Sequence, residues 1–311
     1  MAENSRPGVW RWVIYALGSL PLRALFLVSD GLYLLVYYVL RYRRKVVSQN
    51  LKKVFPEKSP REIQKISRRY YRHLCDLAAE TLRGFCISDE ELARRVVLQN
   101  PDAADRVIAG GKGALVLGTH YGNNEWMSAR IDLMIDRRFP AFAVYNPFSN
   151  KTFDALMLEM RTRRGVNMIP MRKAMSKAVA SLREVCMFGF ITDQTPRWGQ
   201  QYYYTSFFGV PTAWYTSISK IALRTGAQVF MADMRKTRRG NYTLELVRLP
   251  VEDFLPESEE NIRRFTDLQV EMLEEMIGSA PEFWLWSHRR WKRPPQEGDG
   301  FSEKLWADYS Q

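Results

Sequence analysis

From about residue 110 onward, short apolar runs alternate with amphipathic stretches along the chain. We predict strands at 113–119, 141–145, 166–170, 185–191, 227–234 and 242–249. The stretches between and after them have helical spacing, at about 124–137, 150–163, 172–183, 213–225 and 258–278. Strands that alternate with helices form a sheet covered by its connecting helices. The pattern therefore predicts an α/β fold, with a mixed, mostly parallel sheet flanked by helices.

The amino-terminal segment has a different character. Residues 9–40 are rich in aromatic and aliphatic side chains, and the basic run "RYRRK" follows at 41–45. Three charged residues and Pro21 interrupt the apolar part, so no uncharged stretch reaches the roughly 18 residues of a simple spanning helix. We predict two amphiphilic helices inserted in a membrane or lying on it, with a buried hairpin as the alternative. Residues 1–45 then form a membrane-associated segment, and residues 46–311 form the α/β domain.

The charge of the chain favours an anionic partner. The 46 Lys and Arg residues exceed the 34 Asp and Glu residues, which gives a net charge of +12. Acidic lipid headgroups, a phosphorylated substrate and an acidic carrier protein all fit this charge. Nucleic acid fits less well, because the basic residues are scattered and form no recognition module. The three cysteines and three histidines show no spacing typical of disulfides or of a metal site, and no phosphate-binding glycine motif precedes a helix.

The stretch "GTHYGNNEW" at 118–126 carries the candidate chemistry. It places His120 in the turn after a buried strand, where open α/β sheets usually have their sites. We expect Gly122 to bend the chain, an asparagine to cap the next helix and Glu125 to reach back to the imidazole. A carboxylate on one ring nitrogen leaves the other nitrogen available as a general base. An ordinary capping pair is the alternative interpretation.

The sequence gives no support to a serine nucleophile, because it contains no GxSxG motif. A histidine base without a serine suits an enzyme whose nucleophile is a hydroxyl or amine of the substrate itself. Six further segments of distinctive sequence lie before and after the segment that contains His120. The seven segments are "RRKVVSQNLKKVFPEKS" (43–59), "GALVLGTHYGNNE" (113–125), "VYNP" (144–147), "RTRRGVNMIP" (161–170), "ITDQTP" (191–196), "FFGVPT" (207–212) and "PEFWLWSHRRWKRPP" (281–295).

With these segments the chain resembles the lipid A biosynthesis acyltransferases, the late acyltransferases within the wider lysophospholipid acyltransferase superfamily. The superfamily signature HxxxxD/E falls on His120 and Glu125. The resemblance implies that His120 deprotonates the acceptor and that Glu125 orients the imidazole and stabilises its charged form. The arginine-glycine block of the family falls on Arg164 and Gly165, and it implies that Arg164 binds a phosphate or the developing oxyanion.

The resemblance also implies four substrate-binding or site-shaping residues, namely Asn123, Asn124, Asp193 and Gln194. The two asparagines are candidate oxyanion donors, with helix capping as the alternative. Asp193 and Gln194 match an Asp-Gln pair after a strand, with a turn cap as the alternative for Asp193. Arg164 has an alternative too, because its run "RTRR" suits membrane-facing charge. We expect His73 and His288 to be non-catalytic.

The reaction implied by the resemblance is transfer of a fatty acyl chain from a thioester, on acyl carrier protein or coenzyme A, to a hydroxyl of a lipid A precursor. It requires neither a metal nor a cofactor, and it places the enzyme at the cytoplasmic face of the inner membrane, among anionic lipids. Two alternatives stay open at this point. One is acylation of a lysophospholipid or an aminolipid, and the other is a non-catalytic peripheral membrane protein.

Overall fold

The strand Ala114–Gly118 lies at the centre of a seven-stranded sheet and is buried along its whole length. The computed structural model describes residues 8–197 and 201–295. The strands are β1 Val96–Leu98, β2 Ala114–Gly118, β3 Ala141–Tyr145, β4 Asn167–Pro170, β5 Met187–Ile191, β6 Tyr202–Phe207, β7 Val210–Tyr215, β8 Gln228–Arg238 and β9 Asn241–Leu249. The sheet has the order β1-β9-β8-β2-β5-β3-β4, and β6 pairs with β7 in a separate hairpin.

All neighbouring strands of the large sheet run parallel except β8 and β9, which are antiparallel. Helices cover the sheet. They are α1 Val9–Ser19, α2 Leu22–Leu34, α3 Arg44–Val54, α4 Pro60–Gly84, α5 Asp89–Arg95, α6 Ala103–Ala109, α7 Asn124–Ile135, α8 Lys151–Thr162, α9 Met171–Ser181, α10 Ser217–Thr225 and α11 Glu259–Ser279. A π-helical turn, Leu35–Val39, continues α2, and 3₁₀ turns form at Val251–Phe254 and Pro281–Phe283. The mixed, mostly parallel α/β fold predicted from the sequence is confirmed.

Two details of the element prediction are wrong. The helix predicted at 213–225 begins only at Ser217, because residues 213–215 belong to β7. The strands β1, β6 and β7 were not predicted. The first of them has three residues and pairs with β9, which lies far along the chain. The hairpin strands carry aromatic side chains on both faces and lack the alternation that marks a half-buried strand.

The core lies on both faces of the sheet. Leu115 and Leu117 of β2 pack on one side with the faces of α9, α10 and α11, whereas Val116 packs on the other side with α7. A strand buried on both faces needs apolar residues at every position, which explains the unbroken run at 114–118. Because β2, β3 and β5 are parallel, the segments that follow them meet at one edge of the sheet.

The amino-terminal helices are tied to the sheet by a cluster of charges. Arg239, at the end of the β8–β9 hairpin, forms ion pairs with Asp30 of α2 and Asp76 of α4, both at 2.7 Å. Asp76 also accepts hydrogen bonds from Ser29 and from Lys236. The membrane-associated segment predicted at 1–45 therefore contacts the α/β domain through α2. Its residues 1–7, like residues 296–311 of the predicted α/β domain, lie outside the described part of the chain.

The opposite face of these helices is apolar and exposed. Trp10, Trp12 and Leu27 are each at least 70% exposed, and other apolar side chains extend this surface to Leu40. The window Leu22–Val39 is long and apolar enough to cross a membrane, and 33% of it is buried in the molecule. This helix is a candidate membrane anchor.

Candidate active site

The turn after β2 folds as its sequence predicts. Gly122 has a φ of 75°, in the left-handed region that favours glycine, and a Cβ there would lie 2.8 Å from the carbonyl oxygen of Met234. Asn123 caps α7, since its Oδ1 accepts a hydrogen bond from the backbone N–H of Trp126 at 3.0 Å. Its Nδ2 donates to the buried carboxylate of Glu80 at 2.7 Å. The helix α4 thus contacts the turn through Glu80, and both polar atoms of the Asn123 amide have hydrogen-bond partners.

Asp193 holds the imidazole of His120. The Nδ1 of His120 lies 2.7 Å from Asp193 Oδ1, and the backbone N–H of His120 donates to Oδ2 at 2.9 Å. The indole N–H of Trp284 donates to the same Oδ2 at 2.7 Å. Because Gly118 pairs with Ile191 across β2 and β5, the residues two positions further along both strands face each other. The predicted site-shaping residue Asp193 is therefore the carboxylate partner of His120.

The charges of this pair stabilise each other. Burial disfavours the charged form of His120, but the charge of Asp193 and its hydrogen bond outweigh burial and raise the pKa of His120 above its ordinary value. Burial likewise opposes ionisation of Asp193, yet His120 and the N–H donors around it lower the pKa of this carboxyl. Asp193 is 1% exposed in its side chain, whereas the imidazole is 28% exposed toward the cavity described below. The arrangement fixes an ionised carboxylate behind an accessible imidazole.

Gln194 faces the other ring nitrogen. Its Nε2 lies 3.1 Å from Nε2 of His120. With Nδ1 donating its hydrogen to Asp193, Nε2 of the neutral ring is an acceptor, and the Gln194 amide donates to it. A lone pair on Nε2, directed at a polar group in the cavity, is what a general base requires. Gln194 thus lies at the ring nitrogen of His120 that is not bound by Asp193.

The hydrogen bond predicted between Glu125 and His120 is absent among the described residues. Glu125 instead forms a two-point ion pair with Arg161 of α8, with distances of 2.9 and 2.5 Å. Both side chains are about one-fifth exposed and line the same cavity as His120. The physical reason is competition, because Asp193 already occupies Nδ1 and a doubly bonded arginine holds the carboxylate of Glu125. Glu125 lies in the site, but its contact is with a cation.

Arg164 is not among the described residues that line the cavity. Its side chain is 7% exposed and forms an ion pair with Asp89 and a hydrogen bond with the carbonyl of Ile87. These contacts do not place Arg164 where it was predicted to bind a phosphate or an oxyanion in the cavity. Arg161 does line the cavity, and it was not among the site residues predicted from the sequence. It opens the same block, "RTRRG", and its place on the inward face of α8 was the signal that could have identified it.

Asn124, a predicted site residue, and His288, predicted to be non-catalytic, also line the cavity. Asn124 begins α7 and lines the cavity, and its buried Oδ1 has no hydrogen-bond partner in the described part of the chain. His288 lines it too, with Nε2 3.3 Å from both the backbone nitrogen and Oγ1 of Thr195. Burial and the neighbouring charge of Arg290 lower the pKa of His288 to about 4, so it is neutral at physiological pH. His73 is buried in α4 against Phe283, beneath the turn.

A cavity of about 770 Å³ extends from His120 into the molecule. Its inner part, which we call the apolar arm, lies between α7 and the sheet and is lined by Val116, Ile131, Ile135, Ala141, Val166 and Met187. Its mouth is polar and basic, with Arg161, Arg197 and Lys292 among the lining residues. The imidazole of His120 therefore lies in a cavity whose lining combines apolar side chains with basic ones.

Comparison with known proteins identifies the family to which this site belongs. A family model described as the bacterial lipid A biosynthesis acyltransferase matches residues 7–293, nearly the whole chain. The chain belongs to the bacterial lipid A biosynthesis acyltransferase family. The resemblance noted from the sequence is confirmed, and this member of the family is an acyl-transferring enzyme.

Curated relatives of the chain match most of its length. It is 25% identical to the lipid A biosynthesis lauroyltransferase of Escherichia coli (strain K12), over 91% of this chain and 90% of that protein. It is also 25% identical to the lipid A biosynthesis palmitoleoyltransferase of the same organism, over 92% of this chain and 89% of that protein. Both relatives are named for acyl chains that they transfer in lipid A biosynthesis.

Proposed function

We propose that this acyltransferase moves a fatty acyl chain from a thioester, on acyl carrier protein or coenzyme A, to a hydroxyl of a lipid A precursor. The observation that carries the proposal is the ring nitrogen Nε2 of His120, which faces the cavity while buried Asp193 holds Nδ1 from behind. An oriented imidazole beside an apolar tunnel suits ester formation on a lipid. The names of the relatives support lipid A as the acceptor class and a fatty acyl chain as the transferred group.

The reaction proceeds by direct transfer. Nε2 of His120 removes the proton of the acceptor hydroxyl as its oxygen attacks the thioester carbonyl. The tetrahedral intermediate then collapses, the carbon–sulfur bond breaks, and the imidazolium returns its proton to the leaving thiolate. The products are an ester and a free thiol. Asp193 stays ionised and stabilises the imidazolium that forms between the two steps.

Several groups are available to stabilise the oxyanion of that intermediate. The amino terminus of α7 begins at Asn124, beside His120, and the N–H groups of a helix amino terminus favour negative charge. Arg161 brings a positive charge to the same cavity, and its two-point contact with Glu125 fixes the guanidinium. In this mechanism Glu125 is a positioning residue that acts through Arg161.

The cavity divides the substrates by their chemistry. The apolar arm takes the acyl chain of the donor, because burying its methylene groups is favourable. The basic mouth, with Arg161, Arg197 and Lys292, takes phosphate groups of the acceptor or of the donor's carrier. The exposed apolar face of α1 and α2 docks the enzyme on the cytoplasmic face of the inner membrane, where anionic lipids attract the +12 chain.

The test is acyl transfer by the purified, detergent-solubilised full chain. Thioesters of acyl carrier protein and of coenzyme A are offered with either a tetra-acylated lipid A precursor or a lysophospholipid. Wild type is compared with His120→Ala and Asp193→Ala, and with Asp105→Ala, an exposed carboxylate on α6, as the matched control. We expect His120→Ala to lower kcat/KM for the lipid A precursor by roughly 100-fold to 10,000-fold, while Asp105→Ala stays at the wild-type level.

Two results would contradict the proposal. Transfer to the lysophospholipid alone would keep the chemistry and reject the acceptor. Transfer to the lipid A precursor that is unchanged in a folded His120→Ala variant would reject His120 as the base.

A further inference from the structure

Among the described residues, one carboxyl group lies beside the apolar residues of the arm. Asp132 lies on α7 two turns beyond Glu125 and lines the arm among apolar residues. It is 6% exposed, and its Oδ2 is buried without a hydrogen-bond partner among the residues that the structure describes. Burying a polar group without a hydrogen-bond partner costs free energy, so the position of Asp132 in the arm requires an explanation.

Asp132 lies near the inner end of the arm. The arm follows β3 from Tyr145, at the carboxyl end of the strand, to Ala141 at its start. Ile135, the last residue of α7, lines the arm at the same depth as Ala141. Asp132 is one helical turn above Ile135. The five residues of β3 span roughly 13 Å, which accommodates about ten carbons of an extended alkyl chain.

We propose that Asp132 sets the upper length of the acyl chain that this enzyme transfers. The inference rests on the proposed function, because it assigns the apolar arm to the acyl chain of the donor. A chain that ends short of Asp132 leaves space in which water can satisfy the carboxyl group, together with Ser128 one turn closer to the entrance. A longer chain displaces that water and leaves the carboxyl unpaired against methylene groups.

The neighbouring charges fit this role. The field of Arg164 acts on Asp132 from the segment after α8, but the two do not form an ion pair. The strands that line the arm contribute the apolar residues Val116, Ala141 and Met187. In the described part of the chain, the carboxyl group of Asp132 therefore holds no other residue in place.

The test uses two substitutions that preserve the number of side-chain atoms. Asp132→Leu removes the polar group without opening space, and Asp132→Asn retains it. Each full-length protein is assayed with acyl carrier protein thioesters of 8 to 16 carbons, about the range set by the depth of the arm. In wild type we expect kcat/KM to fall roughly tenfold or more once the chain reaches Asp132, because an unpaired buried polar group costs about that much.

The two variants should separate polarity from shape. We expect Asp132→Leu to raise kcat/KM for the longer donors about tenfold relative to the shorter ones, through a lower KM, since the effect is on binding. Asp132→Asn should keep the wild-type length profile. The same profile in all three proteins, or an equal shift in both variants, would overturn the proposal.

A donor whose long chain ends in a hydroxyl group gives a second test that wild type alone can answer. Its hydroxyl supplies the partner that a terminal methyl lacks, so we expect wild type to accept it better than the unmodified chain of equal length. Asp132→Leu should reverse that preference. No preference in wild type would overturn the proposal. Failure of the proposed function is distinct, since wild type would then transfer no chain at all, or would do so without His120.

Discussion

The acid–base state of His120 depends on a residue 73 positions away in the chain. Asp193 raises the pKa of the imidazole above its ordinary value, against the effect of burial. A general base works only when it is unprotonated, so activity should rise with pH through this raised pKa. The acid limb of the pH–rate profile is therefore expected above about pH 6.5.

Replacing that carboxylate should move the limb. We expect Asp193→Asn to lower kcat by roughly 100-fold or more, because the amide neither fixes the tautomer nor stabilises the imidazolium. Loss of the negative charge should also shift the acid limb to lower pH. The measurement is kcat/KM between about pH 5 and 9, a range that brackets the ordinary pKa of histidine. A variant whose limb stays at the wild-type pH would contradict the assignment of Asp193.

Asp132 should make folding stability depend on pH. Burial raises its pKa to about 7, with a small opposing effect of Arg164. A raised carboxyl pKa means that the folded state favours the protonated form, so this stability is present below the ordinary aspartate value and is lost as pH rises through about 7.

The isosteric Asp132→Leu variant removes this dependence. We expect it to be more stable than wild type at pH 8, by up to a few kcal/mol, and the difference to narrow toward pH 5. Chemical denaturation at the two pH values measures the difference. A difference that is the same at both pH values would mean that the pKa of Asp132 in the folded protein is not raised above that of an ordinary aspartate.

At the scale of secondary-structure elements, the sequence predicted what is local. The end of β2, the bend at Gly122 and the start of α7 follow from residues within one short segment. The partner of His120 was misassigned because it comes from the segment just after β5, a strand that neighbours β2 in the sheet and not in the chain. Glu125 was the nearest carboxylate in sequence, and nothing local shows that Arg161 of α8 pairs with it.

Two of the three arginines in the block 161–165, namely Arg161 and Arg164, should behave differently when replaced. Arg161→Ala removes a charge from the cavity and should lower kcat/KM about tenfold or more, with much the same loss in Glu125→Ala and in the double variant, because the pair acts as a unit. Arg164→Ala breaks contacts with Asp89 and Ile87 outside the cavity and should lower the melting temperature while kcat/KM changes little. Steady-state kinetics and thermal melting distinguish the two. A larger kinetic loss in Arg164→Ala would restore the role that the family resemblance implied for it.

At the scale of the whole molecule, the amino-terminal helices expose apolar side chains, while the cavity lies at the carboxyl edge of the sheet, where β2 and β5 end. The helices α1 and α2 expose tryptophan and leucine side chains, and α2 is fixed to the β8–β9 hairpin through Arg239. The same α4 that contacts α2 through Asp76 also contacts the turn after β2 through Glu80. The proposed docking surface and the turn that carries His120 are therefore joined by one helix.

Docking should depend on the exposed aromatic side chains. Trp10 and Trp12 are 70% and 71% exposed, and burying large apolar side chains in a bilayer is worth about 2 kcal/mol each. We expect Trp10→Ala with Trp12→Ala to weaken binding to vesicles that contain phosphatidylglycerol by at least about tenfold. The control variant carries alanine at Val97 of β1 and at Ile108 of α6, two exposed apolar residues far from α1 in the sequence.

Activity should follow binding only where a bilayer presents the acceptor. With vesicle-embedded acceptor, the tryptophan variant should lose kcat/KM in proportion to its lost binding, because fewer enzyme molecules reach the surface. With acceptor dispersed in detergent it should stay near the wild-type level, since His120 and Asp193 are untouched. Sedimentation with vesicles and the two assays together decide the matter. Equal binding by the tryptophan variant and the control would place the docking surface elsewhere, whereas equal loss in both assays would assign the tryptophans to the folded state of the enzyme.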